Sequence, residues 1–209
     1  METEPGVARP PEIRELPIVA GHLALDFANT VDDPLGPQRW DHVADHPSLI
    51  SWAERVGIVS GDAGAALRRA AAEHPERAAA AVRDAAALRA ALNDVFGAVV
   101  DGTRLDDGWR RLRPFVAAAV GRADLAPAVP HPAPAWSVIE LDAPLWPVAY
   151  AAHRLLTGPE VRRLKRCVAC PWLFLDRSRN GSRRWCSMEI CGTDEKIRRY
   201  VTRRAARRG

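Results

Sequence analysis

Four cysteines in the last quarter of the chain limit its fold more than any other feature. Two residues lie between Cys167 and Cys170, four between Cys186 and Cys191, and fifteen between the two pairs. This spacing is typical of loops that bring four thiolates to one tetrahedral zinc ion. Two disulfide bonds are the alternative, which a reducing cytoplasm disfavours. We therefore predict one structural Zn²⁺, because four protein sulfurs leave no open coordination position.

Length and composition exclude several classes of protein. The 209 residues allow one domain of ordinary size plus a small module, and 47% apolar residues are enough for a packed core. No apolar run approaches the length that crosses a bilayer, and residues 1–12 lack the basic and apolar regions of a secretion signal. We therefore expect a cytoplasmic protein with no membrane partner.

The sequence before the cysteines predicts a mainly helical fold with a short β element. Residues 1–15 contain three prolines and no periodicity, so we expect a flexible leader. Alanine, leucine and paired charges predict a multihelical domain over residues 16–158, followed by the zinc finger over residues 159–209. Apolar alternation predicts a strand at Trp136–Leu141, while residues 21–30 fit either a strand or a helix. Helices are predicted at residues 48–59, with Ser48 as the N-cap, at 65–73, 76–100 and 145–156, and after Asp106.

Charge is distributed unevenly along the chain. Residues 160–209 carry 15 Lys and Arg against 5 Asp and Glu, whereas the rest of the chain carries 15 against 21. A surplus of this kind attracts polyanions, and arginine forks match phosphate oxygens. Residues 194–208 also project as a helix with a basic stripe, so we predict that DNA is the partner. The predicted DNA-binding residues lie between the cysteine pairs and on this basic helix: Arg177, Arg179, Asn180, Arg183, Arg184, Lys196, Arg199, Arg203 and Arg207.

Other interpretations of the basic region stay open. An arginine-rich helix is often only a solvated face. The basic finger could also dock on the acidic surface of its own or another copy, which would make the protein a homo-oligomeric interaction module. Trp172, Phe174 and Trp185 fit packing around the metal better than stacking on bases.

Polar residues among apolar neighbours distinguish residues 21–30. Buried polar side chains need hydrogen-bond partners, so His22, Asp26 and Asn29 could tie a turn. Alternatively, together with Trp40 and Trp136, they line a pocket for a small-molecule effector in the helical domain. The sequence holds no nucleophile elbow, phosphate-cradling glycine loop or metalloprotease motif. We therefore expect no enzyme, and an enzyme that uses this pocket is the remaining alternative.

His42 and His46 are a weaker candidate for a second metal site. They lie four residues apart beside Asp41 and Asp45, and on a helix both rings would share one face. Pro47 opposes a continuous helix there, so we interpret both histidines as polar loop or capping residues.

Two segments resemble known families. Residues 167–188, followed by Cys191 and Gly192, resemble the CGNR-type zinc finger, and residues 21–30 match the Gly-His-x-x-Leu-Asp-Phe-x-Asn-Thr opening of the ABATE domain. The resemblance covers nearly the whole chain. It implies a bacterial, stress-linked transcription regulator in which a mostly helical, sensor-like domain precedes a DNA-binding zinc finger.

The chain departs from the family signature directly after the fourth cysteine. The family has Gly-Asn-Arg there, whereas Gly192 is followed by Thr193, Asp194 and Glu195. Acidic residues stabilise the N-terminal end of a helix, so the predicted basic helix is compatible with the change. They repel phosphate, however, which argues against a DNA contact at the position of the family's arginine.

Overall fold

Six α-helices make up most of the fold, which the computed structural model describes for residues 13, 15–32, 40–193, 195–197 and 202. The helices are α1 (Leu23–Ala28), α2 (His46–Arg55), α3 (Gly61–Glu73), α4 (Pro75–Asp101), α5 (Asp106–Gly121) and α6 (Leu145–Thr157). A 3-10 turn follows at Pro159–Arg163 and a π-helical turn at Met188–Gly192. The predicted mainly helical fold with little sheet is confirmed. Within the described part of the chain, no helix combines the length and the apolarity needed to span a membrane.

Local signals fix where α2 and α4 begin. The Asp45 carboxylate caps α2, because it accepts a hydrogen bond from Ser48 N at 2.8 Å, and Pro47 occupies the first turn. Ser48 therefore lies inside the first turn and is not the N-cap that the sequence predicts. Pro75 is the first residue of α4. A backbone N–H at this position would have no acceptor within the helix, so the missing N–H of proline costs no hydrogen bond.

Helices α4, α5 and α6 pack together at the centre of the fold. Gly108 lets α5 approach α4 closely, since a Cβ atom at this position would lie 2.9 Å from the Val95 backbone. Phe27 of α1 packs on Trp52 of α2 with ring centroids 4.8 Å apart, so these helices join the same core. The apolar stripe of α4 is fully buried and consists of Leu88, Leu92, Val95 and Phe96.

Three short antiparallel strand pairs complete the described fold. The pairs are β1 (Val31–Asp32) with β2 (Trp40–Asp41), β3 (Asp124–Ala126) with β4 (Ala133–Ala135), and β5 (Leu164–Arg166) with β6 (Leu173–Leu175). Residues 21–30 contain helix α1, so the helical alternative for this segment is the one that forms.

The predicted strand at Trp136–Leu141 is wrong. Strand β4 ends at Ala135, and turns follow it up to α6. Trp136 is held in this turn because its Nε1 donates to Ala119 O at 2.8 Å, whereas Ile139 is 78% exposed. The apolar residues of this segment therefore pack from turns, since Leu141 is buried and Val138 is partly buried, and they do not form one face of a strand.

Strand β6 of the finger packs against α1 of the helical domain. Asn29 Nδ2 donates to Leu173 O at 2.9 Å, and Asn29 Oδ1 accepts from Leu173 N at 3.1 Å. This reciprocal pair imitates a neighbouring strand. Leu175 N also donates to Ala20 O at 2.8 Å, and all three residues of β6 are buried. The finger therefore shares the apolar core of the helical domain and does not rest on the metal alone.

Large parts of two predicted segments lie outside the described residues. Of the predicted leader, residues 1–12 and 14 lie outside them, and of the predicted basic helix, residues 194, 198–201 and 203–208. Within that helix, residues 195–197 and Thr202 are described and are helical. The division at residue 158 between a helical domain and a finger stays a prediction.

Candidate metal centre and nucleic-acid interface

The four cysteine sulfurs meet at one point. Cys186 Sγ lies 3.6 Å from the Sγ atoms of Cys170 and Cys191, which are 3.7 Å from each other. With Cys167, all four sulfurs lie within 4.8 Å of one another. Sulfurs bonded to one tetrahedral zinc ion at about 2.3 Å would be about 3.8 Å apart, so this donor set fits the metal. The cysteines form a single structural zinc site, in which the bound ion cross-links a first knuckle (residues 167–172) to a second (residues 186–192).

The four thiols do not ionise equally: hydrogen bonds with Cys170 and Cys186 lower the pKa of Cys167, whereas the other three thiols resist ionisation. Hydrogen bonding with the Cys167 sulfur raises the pKa of Cys170 and raises the pKa of Cys186 to about 12, and burial raises the pKa of Cys191. A divalent cation reverses this preference because it binds thiolates. Zinc binding therefore releases protons, and zinc affinity falls as the pH falls.

Close packing shapes the second knuckle. Val168 N donates to Arg184 O at 3.1 Å, which joins the first knuckle to the chain that leads into the second. Gly192 is buried, and a Cβ atom there would lie 2.6 Å from the Met188 Sδ. The glycine after the fourth cysteine therefore lets the Met188 side chain lie close to the backbone, and a larger residue would displace that side chain.

Arg183 forms hydrogen bonds within the protein beside the metal centre, although the sequence predicts that it binds DNA. Its Nε donates to Trp185 O at 2.8 Å, and its Nη2 donates to Val19 O at 3.1 Å and to Cys186 O. The guanidinium also lies over the Phe174 ring, 4.7 Å from the centroid. These contacts occupy the Nε and Nη2 donors and place Arg183 in the packing of the second knuckle, so a phosphate contact by Arg183 stays a prediction. Phe174 is fully buried and packs in the core, as the packing interpretation predicts.

A nine-residue loop, residues 176–184, lies between β6 and the second knuckle, and we call it the Asp176 loop. Asp176 Oδ1 accepts from Ser178 N at 3.0 Å, and Oδ2 accepts from Arg183 N at 2.9 Å and from Lys165 Nζ at 2.6 Å. Lys165 Nζ also donates to Arg183 O at 3.3 Å. Gly181 adopts a φ of 59°, which turns the tip of the loop. One buried carboxylate and one lysine therefore fix the course of the loop.

The charge on Asp176 is stable at neutral pH. Burial alone would raise its pKa, but hydrogen bonds from Lys165 and Ser178 hold the pKa below its ordinary value. The loop is therefore organised around an ionised carboxylate whose charge is compensated.

Most of the predicted DNA-binding residues between the cysteine pairs project from this loop into solvent. Arg177 pairs with Glu160 at 3.6 Å, but both side chains are more than half exposed, so the pair contributes little energy. The Arg184 guanidinium lies over the Trp185 ring, 5.5 Å from the centroid. The exposed loop residues are Arg177, Arg179, Asn180 and Arg184.

The basic helix adds one described cation. Lys196 is exposed, and Glu195 beside it is half-buried. The other predicted DNA-binding residues of this helix, Arg199, Arg203 and Arg207, lie outside the described residues.

The five residues predicted to form an effector pocket do not line one common cavity. Asn29, Asp26 and His22 bond to backbone groups around α1, which is the structural alternative that the sequence analysis left open. Trp136 bonds to Ala119 as described and borders a different depression. Trp40 lines a cavity beside the finger. The predicted pocket is therefore corrected, and the cavity at Trp40 takes its place as the candidate.

Burial changes the titration of the two ionisable residues around α1. Asp26 Oδ1 accepts from Ala20 N at 2.9 Å, and burial raises the pKa of Asp26 to about 6, partly offset by backbone hydrogen bonds. Burial also lowers the pKa of His22, whose Nδ1 caps α1 by accepting from Ala24 N at 3.3 Å. Burial therefore shifts the titration of both groups towards their neutral forms.

His42 and His46 form separate contacts. His42 Nε2 bonds to Asp32 at 2.9 Å, and His46 Nε2 donates to Leu141 O at 3.0 Å. In the part of the chain that the structure describes, the four cysteines are the one group of three or more metal-ligating side chains close enough to share an ion. The polar interpretation of the two histidines holds, and the weaker second-site hypothesis has no support.

Some functional residues were not found from the sequence. The Asp-x-Ser and Asn-Gly pairs at residues 176–181 are typical turn signals, which could have predicted an ordered loop. No local signal pairs Asn29 with Leu173, since 144 residues separate them.

A helical domain with a four-cysteine finger docked on its first helix defines a zinc-finger protein of two parts. Residues 21–159 match the ABATE family, whose description is "Putative stress-induced transcription regulator", and residues 163–204 match the CGNR zinc finger. The chain therefore belongs to the ABATE family and carries a CGNR zinc finger. The resemblance and the structural zinc that the sequence predicts are confirmed. None of the curated proteins matches the chain.

Proposed function

We propose that this protein is a transcription regulator that binds DNA through the Asp176 loop of its zinc finger. The family description supports the regulatory role. The observation that carries the DNA contact is the loop itself, in which a buried carboxylate and Lys165 hold a turn whose arginines face solvent. The proposal includes no catalytic step, so the protein acts as a regulator and not as an enzyme.

The loop suits a phosphate backbone for two reasons. Each guanidinium can donate two parallel hydrogen bonds to phosphate oxygens, which fixes the orientation of the protein on the duplex. The loop is already ordered by internal hydrogen bonds, so less conformational entropy is lost on binding. Asn180 at the tip carries an amide of the kind that pairs with the adenine edge in the major groove.

The charge distribution also favours binding of DNA to the finger. The surplus of Lys and Arg lies in residues 160–209, while acidic residues outnumber basic ones in the rest of the chain. A polyanion therefore approaches the finger in preference to the helical domain. In the sequence, Asp194 stands where the family has its arginine after the fourth cysteine, so the loop takes the larger share of the contact.

The test is binding of the zinc-loaded full chain to fluorescent duplexes of random sequence at low salt. Replacing Arg177, Arg179 and Arg184 with alanine should weaken binding at least about 30-fold, because each exposed phosphate contact contributes on the order of 1 kcal/mol. A matched control replaces Arg69, Arg77 and Arg83, three exposed arginines of α3 and α4, and should bind like the wild type. If the two triple variants lose affinity equally, the loop is not the interface. Sequencing of the bound fragments gives the preferred target.

Three sequence predictions accompany the proposal. Cytoplasmic location, self-association and an effector for the helical domain each stay predictions.

A further inference from the structure

A cavity of about 550 Å³ lies where the helical domain meets the zinc finger. Its walls come from three parts of the chain: residues 15–19, the β1–β2 pair, and both knuckles of the metal centre. This volume is within the range of small-molecule sites. Because Cys170, Cys186 and Cys191 contribute to the wall, an occupant would contact the metal centre directly.

Internal hydrogen bonds hold the wall formed by residues 15–19. Arg55 donates to Leu16 O at 2.8 Å and to Ile13 O, and Arg183 donates to Val19 O and to Cys186 O. Each arginine therefore ties this segment to another element, α2 in one case and the second knuckle in the other. A cavity with fixed walls is typical of a preformed ligand site.

The cavity is mostly apolar, and two tryptophans line it. Trp40 is 37% exposed and Ile190 is 45% exposed, so apolar surface at its edge remains in contact with water. Trp172 and Leu16 line it as well. Exposed apolar surface around a concave site is a common mark of ligand binding.

Among the described residues, the ionisable side chains that line the cavity are acidic. Glu15 and Asp32 are its ionisable lining residues apart from the cysteines, and no lysine or arginine is among the described residues that line it. Asp32 accepts from His42 and remains about one-third exposed. Four thiolates around one divalent ion add two negative charges in the adjoining wall. Arg55 and Arg183 are not among the lining residues, because their guanidinium groups bond to backbone carbonyls of the wall.

We propose that this cavity binds a flat, ring-bearing organic cation. Tryptophan faces attract cations, and the Asp32 carboxylate would pair with the charge while the apolar walls cover the rings. Describing this ligand as the effector of a regulator rests on the proposed function. The binding site itself does not, because its test contains no DNA and either proposal can fail alone.

The test is calorimetric titration of the zinc-loaded full chain with N-methylacridinium at about pH 8, where acridine is the uncharged counterpart and anthracene carboxylate the anionic one. The cation should bind at least about tenfold more tightly than acridine, and the anion should not bind. Absence of binding by the cation, or equal binding of all three compounds, would overturn the proposal.

Single substitutions then locate the site. Asp32→Asn keeps an acceptor for His42 but removes the charge, and Trp40→Ala removes an aromatic wall, so each should weaken binding of the cation at least about fivefold. The matched controls are Asp106→Asn and Trp109→Phe, both in α5 and away from the cavity lining, which should leave binding unchanged. Zinc content and melting temperature verify the fold of each variant. Equal effects of the site variants and the controls would also contradict the proposal.

Discussion

Arg183 and Arg184 are adjacent in sequence, yet their guanidinium groups contact different things. Arg183 bonds to three backbone carbonyls around the second knuckle, and Arg184 lies exposed over the Trp185 ring. An arginine whose Nε and Nη2 donors bond to the protein's own carbonyls contributes to folding, whereas an exposed arginine is available to a partner. The sequence predicts the same DNA-binding role for both arginines, and only the structure shows that their contacts differ.

This difference gives a prediction at the residue scale. Arg183→Ala should lower the free energy of unfolding by about 2–4 kcal/mol and weaken zinc retention, because buried carbonyls lose charged donors. Arg184→Ala should leave both unchanged and weaken only DNA binding. Denaturant unfolding and competition with a zinc chelator measure the two effects. Equal stability of the two variants would contradict the assigned roles.

Asp26 gives a second prediction, on pH dependence. Its folded-state pKa of about 6 is above the ordinary value of 3.8, so the folded state holds this proton more tightly than the unfolded state. Its contribution to stability is therefore present at low pH and is lost as the pH rises through about 6. Asp26→Asn does not titrate, so the stability of the variant relative to the wild type should rise by about 1.4 kcal/mol between about pH 5 and pH 7.

Denaturant unfolding of both proteins at each pH measures this difference. Zinc release affects both proteins alike and cancels in the comparison. A difference that stays constant over the range would show that the Asp26 carboxyl titrates normally in the folded protein.

At the scale of elements, local signals predict the helices but not the strands. Alanine-rich segments such as residues 76–100 predict α4 nearly to its ends, because helix propensity is a local property. Strands β3 and β4 are only three residues each, and β4 contains Pro134, so neither has a clear local strand signal. Apolar alternation at Trp136–Leu141 suggested a strand, yet strand pairing depends on a partner elsewhere in the chain.

The Asp176 loop is the element on which the proposed function rests. Asp176→Asn should remove the ion pair with Lys165. It should also place an amide N–H group next to the donors Lys165 Nζ and Arg183 N. The loop should then become disordered, while the cysteines still bind zinc. DNA affinity should then fall at least about tenfold although every exposed arginine is retained. Anisotropy with a fluorescent duplex measures the affinity, and elemental analysis measures the zinc. Full affinity in this variant would show that loop order is irrelevant to binding.

Acid should weaken the same element. The pKa of Asp176 is held below its ordinary value in the folded protein. The ionised carboxylate therefore stabilises the fold fully above the ordinary pKa, and this stabilisation is lost as the pH falls towards the lower, folded-state pKa.

At the scale of the whole molecule, the finger and the helices share one apolar core, so we predict that they unfold as one unit. The residues of β6 are buried in the core that α1 and α4 also line, and Asn29 supplies β6 with a backbone-like partner. The sequence identifies both parts of this unit. It does not reveal their contact, because the contact joins residues far apart in the chain.

Zinc removal should therefore destabilise the helices as well as the finger. Chelation should lower the melting temperature of the helical circular dichroism signal by at least about 10 °C, since metal binding energy contributes to folding. Restoring zinc should restore the melting temperature. Helices that melt unchanged after complete metal loss would show that the two parts fold independently.

The salt dependence of DNA binding tests the central claim most directly. The account predicts that the affinity of the zinc-loaded protein falls steeply with salt, and that the Arg177, Arg179 and Arg184 triple variant loses about 2–3 units from the slope of log affinity against log salt. The Arg69, Arg77 and Arg83 control should keep the wild-type slope. A wild-type slope near zero, or the same slope in both triple variants, would contradict DNA binding through the Asp176 loop.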